Sequence, residues 1–305
     1  MKVMFMGTPD IAVSCLNKLA EQHEICCVVT KADKPRGRSG KPAFSAVKER
    51  AAELGIDIVQ PSTMKDGGFM QALERYRPDI IAVVAYGLIL PPYVLSFPRY
   101  GCINVHTSIL PKYRGAAPIQ WCIVNGEKTG GVTTMMMDEG LDTGDILLCE
   151  KVDITPDMTA GELHDIYGEI GARLLCETLD GLQNGTLTPQ KQDHGAHSYA
   201  PMLNNGNTHI DWTSSPDCIK NLVRGLNPFP TAHTTLNGKK LKVYKCEVLQ
   251  EAGKPGAVIF AKDALVVGCA DGAVAITDLQ LEGKKRMNAA DFLRGFSIDE
   301  GTVLK

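Results

Sequence analysis

The stretch GCINVHTSILPKYRGAAPIQ, residues Gly101–Gln120, places a strand-like run directly before a loop. Cys102–Ser108 has the apolar character of a buried strand, and Pro111 lies in the glycine-containing segment that follows it. Within the run, Asn104 and His106 are two residues apart. Side chains at this spacing in a strand point to the same face. We therefore expect Asn104 and His106 to project together near the carboxyl end of a strand.

The chain on both sides of this stretch alternates between strand-like and helix-like segments. Apolar, β-rich runs occupy Lys2–Gly7, Glu24–Thr30, Ile56–Pro61, Asp79–Gly87 and Gly130–Asp138. Helical spacing recurs over Ser45–Gly55 and Thr159–Leu182. This alternation predicts an α/β fold with a parallel, doubly wound, Rossmann-like sheet. Ligands of such sheets bind beyond the carboxyl ends of the strands. We expect one crevice lined by Gly7–Asp10, Tyr86–Leu90, His106–Leu110 and Asp138–Asp142.

The character of the sequence changes after about Gly185. A polar, Gly/Asn-rich segment predicts a linker, and one helix-like segment follows over Pro216–Leu226. Short apolar runs then alternate with turns, and Asn237–Gly238 and Asp271–Gly272 are strong hairpin signals. We predict an α/β domain over residues 1–188, a linker over 189–206, and a small β-barrel or sandwich over 207–305.

Composition and motifs exclude several classes of function. The formal charge of −3 gives no general sign of nucleic-acid binding. No apolar run approaches the roughly 18 residues of a membrane helix, and the N-terminus lacks a signal-peptide pattern, so we expect a cytoplasmic protein. The ten cysteines form no C-x-x-C pair, which argues against a metal site. The sequence contains no G-x-G-x-x-G, no Walker loop and no G-x-S-x-G elbow, so hydride transfer and phosphoryl transfer are disfavoured.

The remaining polar set is Asn104, His106 and Asp142, of which Asp142 lies in DEGLDTGDIL. Such a trio suits acyl transfer to an amine. Hydrogen-bond donors hold the developing oxyanion, and a histidine beside a carboxylate helps to remove the proton that the amine sheds. The amine attacks directly, so no serine or cysteine nucleophile is needed. The pattern N-x-H alone also fits a buried structural histidine, and the residues by themselves leave that alternative open.

Two long motifs, NVHTSILPKYRGAAPIQ and GVTTMMMDEGLDTGDIL, resemble the 10-formyltetrahydrofolate-dependent formyltransferase family. GTPDIA, AYGLILP and the C-terminal β-rich region extend the resemblance over nearly the full chain. It implies an OB-like C-terminal domain, 10-formyltetrahydrofolate as co-substrate, no metal, and Asn104, His106 and Asp142 as catalytic residues. Ile109 replaces the family's usual leucine. The resemblance also implies that the folate is contacted by Ala85, Tyr86, Gly87, Leu88, Ile89, Leu90, Ser108, Ile109, Leu110 and Pro111.

The resemblance is greatest to the branch of the family that formylates initiator methionyl-tRNA, and it implies a monomer that binds this tRNA. ADKPRGRSGKPAF matches the loop that enters the acceptor stem. One departure is that Tyr199–Met202 and the residues after it lack the family's linker lysines. Two alternatives stay open: the linker contacts to the tRNA are weaker here, or they are supplied by Lys239, Lys240, Lys242 and Lys245 of the C-terminal domain. The tRNA contacts implied are Lys34, Arg36, Arg38, Lys41, Lys239 and Lys240.

Besides formylation of a tRNA, two alternative functions stay open from the sequence. Related formyltransferases act on small amines, either a glycinamide or an amino-sugar nucleotide. The C-terminal domain and the basic loop argue against the glycinamide substrate, and the basic loop argues against the amino sugar. The second alternative is a tRNA- or folate-binding module without catalysis, which the presence of Asn104, His106 and Asp142 disfavours.

Overall fold

The computed structural model describes residues 1–35 and 42–305. The chain forms two compact units. The N-terminal unit consists of residues Met1–Pro118, Gly130–Val152 and His164–Ala200. The C-terminal unit consists of Ile119–Thr129, Asp153–Leu163 and Pro201–Lys305. The change from one unit to the other at Ala200 lies inside the segment predicted as a linker.

The strands that precede the last hundred residues are β1 Lys2–Gly7, β2 Glu24–Val29, β3 Lys34–Pro35, β4 Pro42–Ala43, β5 Ile58–Val59, β6 Ile80–Val84, β7 Cys102–His106, β8 Arg114–Gly115, β9 Thr129–Met136, β10 Ile146–Asp153 and β11 Tyr199–Ala200. The helices of the described chain are α1 Ile11–Gln22, α2 Ala46–Glu53, α3 Met70–Tyr76, α4 Pro92–Leu95, α5 Pro118–Val124, α6 Ala160–Gln183, α7 Pro216–Gly225 and α8 Ala289–Gly295.

Seven strands form the main sheet of the N-terminal unit, in the order β10-β9-β7-β6-β1-β2-β5. β1 is parallel to both β2 and β6, and β6 is parallel to β7. The α/β class and the parallel centre confirm the prediction. β9, however, runs antiparallel to β7, with His106 paired to Thr133. The residues Gly130–Asp138 indicate a strand, but an apolar run does not determine whether that strand is parallel or antiparallel to its neighbour.

The central strands of this sheet are buried on both faces. β6 is buried at every residue. β1 is buried from Val3 to Gly7, and its first residue, Lys2, is partly exposed. This near-continuous burial is typical of parallel strands covered by helices. Side-chain caps begin the helices: Asp10 accepts from the N–H of Ile11, and Ser45 accepts from that of Lys48. The sheet therefore gives a rigid edge from which the loops emerge.

The C-terminal unit contains an antiparallel sheet of β12 Ala232–Leu236, β13 Lys239–Leu249, β14 Val258–Ala261, β15 Leu265–Gly268, β16 Ala273–Leu281 and β17 Met287–Asn288. The two predicted hairpins are confirmed. Asn237 and Gly238, both with positive φ, connect β12 to β13, and Asp271–Gly272 lies between β15 and β16. The predicted helix after the linker is α7, which begins with Pro216 after the Ser215 cap.

All ten cysteines are free thiols, and seven of them are buried. Within residues 1–35 and 42–305, no helix is long and apolar enough to cross a bilayer. The same ranges contain no cluster of three or more His, Cys, Asp or Glu side chains arranged to hold a metal ion.

Candidate active site

Loops from neighbouring strands converge at the carboxyl edge of the N-terminal sheet. β6 leads into the loop Ala85–Leu90, and β7 ends at His106. The Thr8 hydroxyl, just after β1, donates to the Tyr86 carbonyl at 3.4 Å. The connection between β9 and β10 brings Asp142 within 3.7 Å of His106. The structure therefore brings together the parts of the crevice that the sequence predicted.

His106 is 5 % exposed, and it is held by a hydrogen bond through one of its two ring nitrogens. Its Nε2 lies 2.9 Å from the carbonyl oxygen of Tyr113. A carbonyl only accepts, so Nε2 carries the hydrogen and donates it. The other nitrogen, Nδ1, lies 3.7 Å from Oδ2 of Asp142. Nδ1 is thus the ring nitrogen without a hydrogen bond to a carbonyl, and it faces the Asp142 carboxylate.

Asp142 is held in a left-handed backbone conformation, with φ of 52°. Its Oδ2 accepts from the backbone N–H of Gly115 at 2.8 Å, and its carbonyl accepts from the side-chain amide of Gln192 at 2.9 Å. Gly115 itself has φ of 115°, and a Cβ there would lie 2.9 Å from the Ala200 carbonyl oxygen. Only glycine fits this point, where the backbone comes close enough to bond the carboxylate.

Asn104 lies on β7 two residues before His106, half-buried, and is paired with Val83 and Met135 on the adjacent strands. Its side chain has no hydrogen-bond partner among the described residues. The carboxamide is therefore available as a neutral donor beside the imidazole. We call Asn104, His106, Asp142 and the backbone of residues 113–115 the His106 corner.

The His106 corner stores backbone strain. Tyr113 and Asp142 are non-glycine residues with positive φ, as is Ala85 in the neighbouring loop. Such residues are uncommon and cluster at functional sites. Chemically, the corner offers a neutral donor, an imidazole with one free nitrogen, and a carboxylate beside that nitrogen. This combination can stabilise an oxyanion and move a proton.

The 85–90 loop, Ala85–Leu90, is anchored at two positions and exposed between them. Tyr86 and Leu90 are buried in the apolar core, whereas Leu88 and Ile89 are 45 % and 86 % exposed. The N–H groups of Leu88 and Ile89 donate to no acceptor in the described residues. Gly87, with φ of +72°, lies against the Lys31 side chain, whose Nζ would be 2.5 Å from a Cβ at that position. The loop thus offers free backbone donors between apolar side chains.

The predicted folate segment Ser108–Pro111 is bonded to the residues around it through Ser108. The Ser108 hydroxyl donates to the Lys112 carbonyl at 2.7 Å, and the Thr133 hydroxyl donates to the Ser108 carbonyl at 2.6 Å. Ser108 and Leu110 are buried, and Ile109 is partly exposed. The Ser108 hydroxyl therefore holds the turn, and its contact with a folate stays a prediction.

The residues predicted to bind tRNA are described only in part. Arg36, Arg38 and Lys41 lie outside the described residues, and only the backbone of Lys34 is described, in β3. In the C-terminal unit, Lys239 is exposed and Lys240 half-buried where β13 begins, directly after the Asn237–Gly238 turn. Their contact with tRNA stays a prediction.

Sequence reasoning missed the groups that hold the His106 corner in place. These are the Tyr113 carbonyl, the Gly115 N–H, and the buried pair Arg114 and Gln192. Gln192 lies in the segment predicted as a linker. One available signal was the presence of Arg114 in a run that otherwise reads as a buried loop, since a buried arginine requires acceptors.

The comparisons with known proteins agree over the whole chain. The family model "Formyl transferase" matches residues 1–179, and "Formyl transferase, C-terminal domain" matches residues 202–297. A methionyl-tRNA formyltransferase of Geobacter metallireducens is 49 % identical over all of this chain and 98 % of its own. One of Pelotomaculum thermopropionicum is 50 % identical, again over all of this chain and 98 % of its own.

A solved structure adds a likeness of fold. HypX from Aquifex aeolicus, in complex with tetrahydrofolic acid, has a TM-score of 0.67 and 20 % identity. The match covers 96 % of this chain and 47 % of HypX, so the chain spans about half the length of that protein. The full-length identity of about one half to the curated relatives decides the family. The chain belongs to the methionyl-tRNA formyltransferase family.

Proposed function

We propose that this protein transfers the formyl group of 10-formyltetrahydrofolate to the α-amino group of initiator methionyl-tRNA. The observation that carries the proposal is the 49–50 % identity, over the full chain, to enzymes of that name. The His106 corner supports it, because acyl transfer to an amine needs an oxyanion donor and a proton acceptor next to each other.

The reaction begins with the neutral amine of the methionyl group. Its lone pair attacks the formyl carbon, a new C–N bond forms, and the carbonyl oxygen becomes an oxyanion. Asn104 donates to that oxygen through its free carboxamide. When the intermediate collapses, the bond from the formyl carbon to N10 of the folate breaks. The amine loses one proton and N10 gains one, so the reaction is balanced without a metal or a redox partner.

His106 and Asp142 act on the proton and on the charge. Since Nε2 is bonded to the Tyr113 carbonyl, His106 acts through Nδ1. In its charged form it donates Nδ1–H to the oxyanion, and the Asp142 carboxylate 3.7 Å away stabilises the imidazolium. At 3.7 Å the carboxylate is too far to take the Nδ1 hydrogen for itself, which leaves that hydrogen for the substrate. Asp142 then helps to collect the amine proton.

The 85–90 loop suits the folate. A pterin is flat, with donors and acceptors around its edge. The free N–H groups of Leu88 and Ile89 fit acceptors on that edge, and their exposed side chains fit the faces of a ring. Ser108–Pro111, next to His106, lines the same carboxyl edge of the sheet.

The tRNA is assigned to the basic residues. Lys239 and Lys240, with the basic loop of Lys34, Arg36, Arg38 and Lys41, supply cations for phosphates. Such contacts position a nucleic acid without reading its sequence. The protein is proposed to work as a monomer in the cytoplasm.

A panel of acceptors tests the proposal. The protein is mixed with 10-formyltetrahydrofolate and, separately, with methionyl-tRNA, glycinamide ribonucleotide and an amino-sugar nucleotide, and formyl incorporation into each amine is measured. Formylation of methionyl-tRNA alone is the expected result. Formylation of a small amine in its place would retain the folate chemistry and overturn the assignment of tRNA as acceptor.

A further inference from the structure

Gln192 and Arg114 form a buried polar pair directly behind Asp142. Arg114 is 2 % exposed and Gln192 is 6 % exposed. The guanidinium donates to Oε1 of Gln192 through Nε at 3.2 Å and through an Nη at 2.6 Å. A buried charged group is retained only where its hydrogen bonds are made, so this pairing fixes the orientation of the carboxamide.

The other end of the Gln192 carboxamide holds the loop that carries Asp142. Its nitrogen donates to the carbonyl of Asp142 at 2.9 Å and to the carbonyl of Gly144 at 2.7 Å. Both amide hydrogens are thus used, and the oxygen accepts from Arg114. Gln192 lies fifty residues from Asp142 in the sequence, in a segment with no other predicted part in the site.

These bonds form a closed ring. Arg114 is followed by Gly115, whose N–H binds the Asp142 carboxylate at 2.8 Å. The Asp142 carbonyl binds Gln192, and Gln192 binds the Arg114 side chain. Strand β11 also holds this ring in place, since Tyr199 and Ala200 pair with Arg114 and Gly115 of β8. Asp142 is therefore fixed at its main chain and at its side chain by two consecutive residues and one glutamine.

We propose that Gln192 is a positioning residue, which holds Asp142 in its left-handed conformation facing Nδ1 of His106. This inference rests on the proposed function only for its kinetic test. The segment around Gln192 is then not a passive connection. It is the part of the chain that sets the geometry of the His106 corner, and Arg114 is the group that keeps the glutamine amide directed towards Asp142.

The substitution Gln192→Glu tests this directly. A glutamate keeps an acceptor for Arg114 and turns that bond into an ion pair. It replaces the donating nitrogen by an oxygen that faces two carbonyl oxygens, so the Asp142 loop is released. We expect the single-turnover rate of formyl transfer at saturating substrates to fall by about 10–100-fold. The Kd values for folate and tRNA stay within about threefold, since no binding contact is removed.

A matched control is Gln190→Glu, the same change two residues away on an exposed side chain. It should leave the rate within about twofold, as surface changes do. Gln192→Met, of similar volume and without a donor, is a second variant with the same expected loss. Thermal unfolding of each variant establishes that the protein compared is folded.

A double-mutant cycle separates positioning from general stability. If Gln192 acts through Asp142, Gln192→Glu has little further effect on the rate in an Asp142→Asn background. An equal fold-loss in both backgrounds, or an unchanged rate in folded Gln192→Glu and Gln192→Met, overturns the inference. A structural readout needs no acceptor: the ¹⁵N chemical shift of His106 Nδ1 should change in Gln192→Glu as it does in Asp142→Asn, and not in Gln190→Glu.

The two proposals fail in different ways. A wild-type protein that formylates no methionyl-tRNA overturns the proposed function, and the ¹⁵N comparison still decides the role of Gln192. An active wild type with an unchanged His106 signal in both Gln192 variants overturns the positioning role alone.

Discussion

The His106 corner and the 85–90 loop lie at the same sheet edge but are built in opposite ways. In the corner, His106 is 5 % exposed, its Nε2 donates to the Tyr113 carbonyl, and the Asp142 carboxylate accepts from the Gly115 N–H. In the loop, Ile89 is 86 % exposed and the N–H groups of Leu88 and Ile89 have no acceptor in the described residues. Hydrogen bonds hold the corner, whereas the loop is held by the buried side chains of Tyr86 and Leu90 and by the bond from the Thr8 hydroxyl to the Tyr86 carbonyl.

Under the proposed function, this difference matches two different tasks. A group that stabilises a transition state must be oriented before the reaction, because reorientation during the reaction costs free energy. A loop that holds a flat ring needs free donors and apolar surface, which a ligand covers on binding. Changes in the corner should therefore lower the rate of the chemical step, and changes in the loop should raise the KM for folate.

Asp142→Asn should give the largest effect. The amide keeps the size of the side chain and an oxygen for the Gly115 N–H, but it removes the charge that faces Nδ1 of His106. We expect kcat to fall by about 10³-fold with little change in the Kd for folate. Rapid-quench kinetics measures the rate, and isothermal titration calorimetry measures the Kd for folate.

Glu139→Gln is the control for Asp142→Asn, because it makes the same change on an exposed side chain of the same loop. It should leave kcat within about twofold. An equal loss of kcat in both variants would mean that loop charge, rather than contact with His106, matters.

Gly115→Ala should have the next largest effect on the rate. The new Cβ would lie 2.9 Å from the Ala200 carbonyl oxygen at a φ of 115°, so the backbone must shift and the Asp142 bond weakens. We expect a loss of roughly 1–3 kcal/mol in unfolding free energy and about a 10–100-fold lower kcat. Urea unfolding and steady-state kinetics measure both. The same substitution at Gly185, a positive-φ glycine with open space around it, should cost stability without affecting kcat.

Leu88→Ser tests the other half of the comparison. The side chain is 45 % exposed, so stability should barely change, whereas apolar contact with a bound ring is lost. We expect the KM for 10-formyltetrahydrofolate to rise about 3–10-fold at unchanged kcat, as befits loss of binding that is uniform between ground and transition states. Leu54→Ser, at a similarly exposed leucine after α2, should change neither constant. A fall in kcat without a rise in KM would show that the loop takes part in the chemical step.

Tyr86→Phe should have the smallest effect, and it should be favourable. The Tyr86 hydroxyl is buried without a partner among the described residues, and burial raises the pKa of this phenol to about 12. Removing the hydroxyl should stabilise the fold by about 0–1 kcal/mol. The contrasting variant is Tyr93→Phe, whose hydroxyl donates to Met64 at 2.6 Å and accepts from the N–H of Phe69. Tyr93→Phe should destabilise the fold by about 1–2 kcal/mol. Thermal unfolding should therefore show a Tm that is unchanged or raised for Tyr86→Phe and lowered for Tyr93→Phe.

Local sequence patterns predicted most of the fold. Buried strands such as β1, β6 and β7 appear as apolar runs, and the turns at Asn237–Gly238 and Asp271–Gly272 appear as Asn-Gly and Asp-Gly dipeptides. The family resemblance was confirmed by the full-length matches. The antiparallel direction of β9 was not predictable in this way, because the same alternation of residues suits either direction.

The candidate site was predictable as a set of residues but not as a geometry. Asn104 and His106 are two apart on one strand, so their common face follows from the sequence. The bond from Arg114 to Gln192 spans 78 residues, and the bond from Gln192 to Asp142 spans 50. Such contacts depend on how loops pack in three dimensions. For the same reason, the finding that Nδ1 is the nitrogen left without a carbonyl partner required the position of the Tyr113 carbonyl.

The most direct test of the account is the single-turnover rate of formyl transfer to methionyl-tRNA by His106→Gln, at saturating folate and tRNA. Glutamine retains a donor for the Tyr113 carbonyl but has no nitrogen that gains and loses a proton. The account predicts a rate about 10³-fold below wild type, with the Kd for folate within about threefold. A rate within a few-fold of wild type, in a protein shown to be folded, would contradict the assignment of His106 to the chemical step.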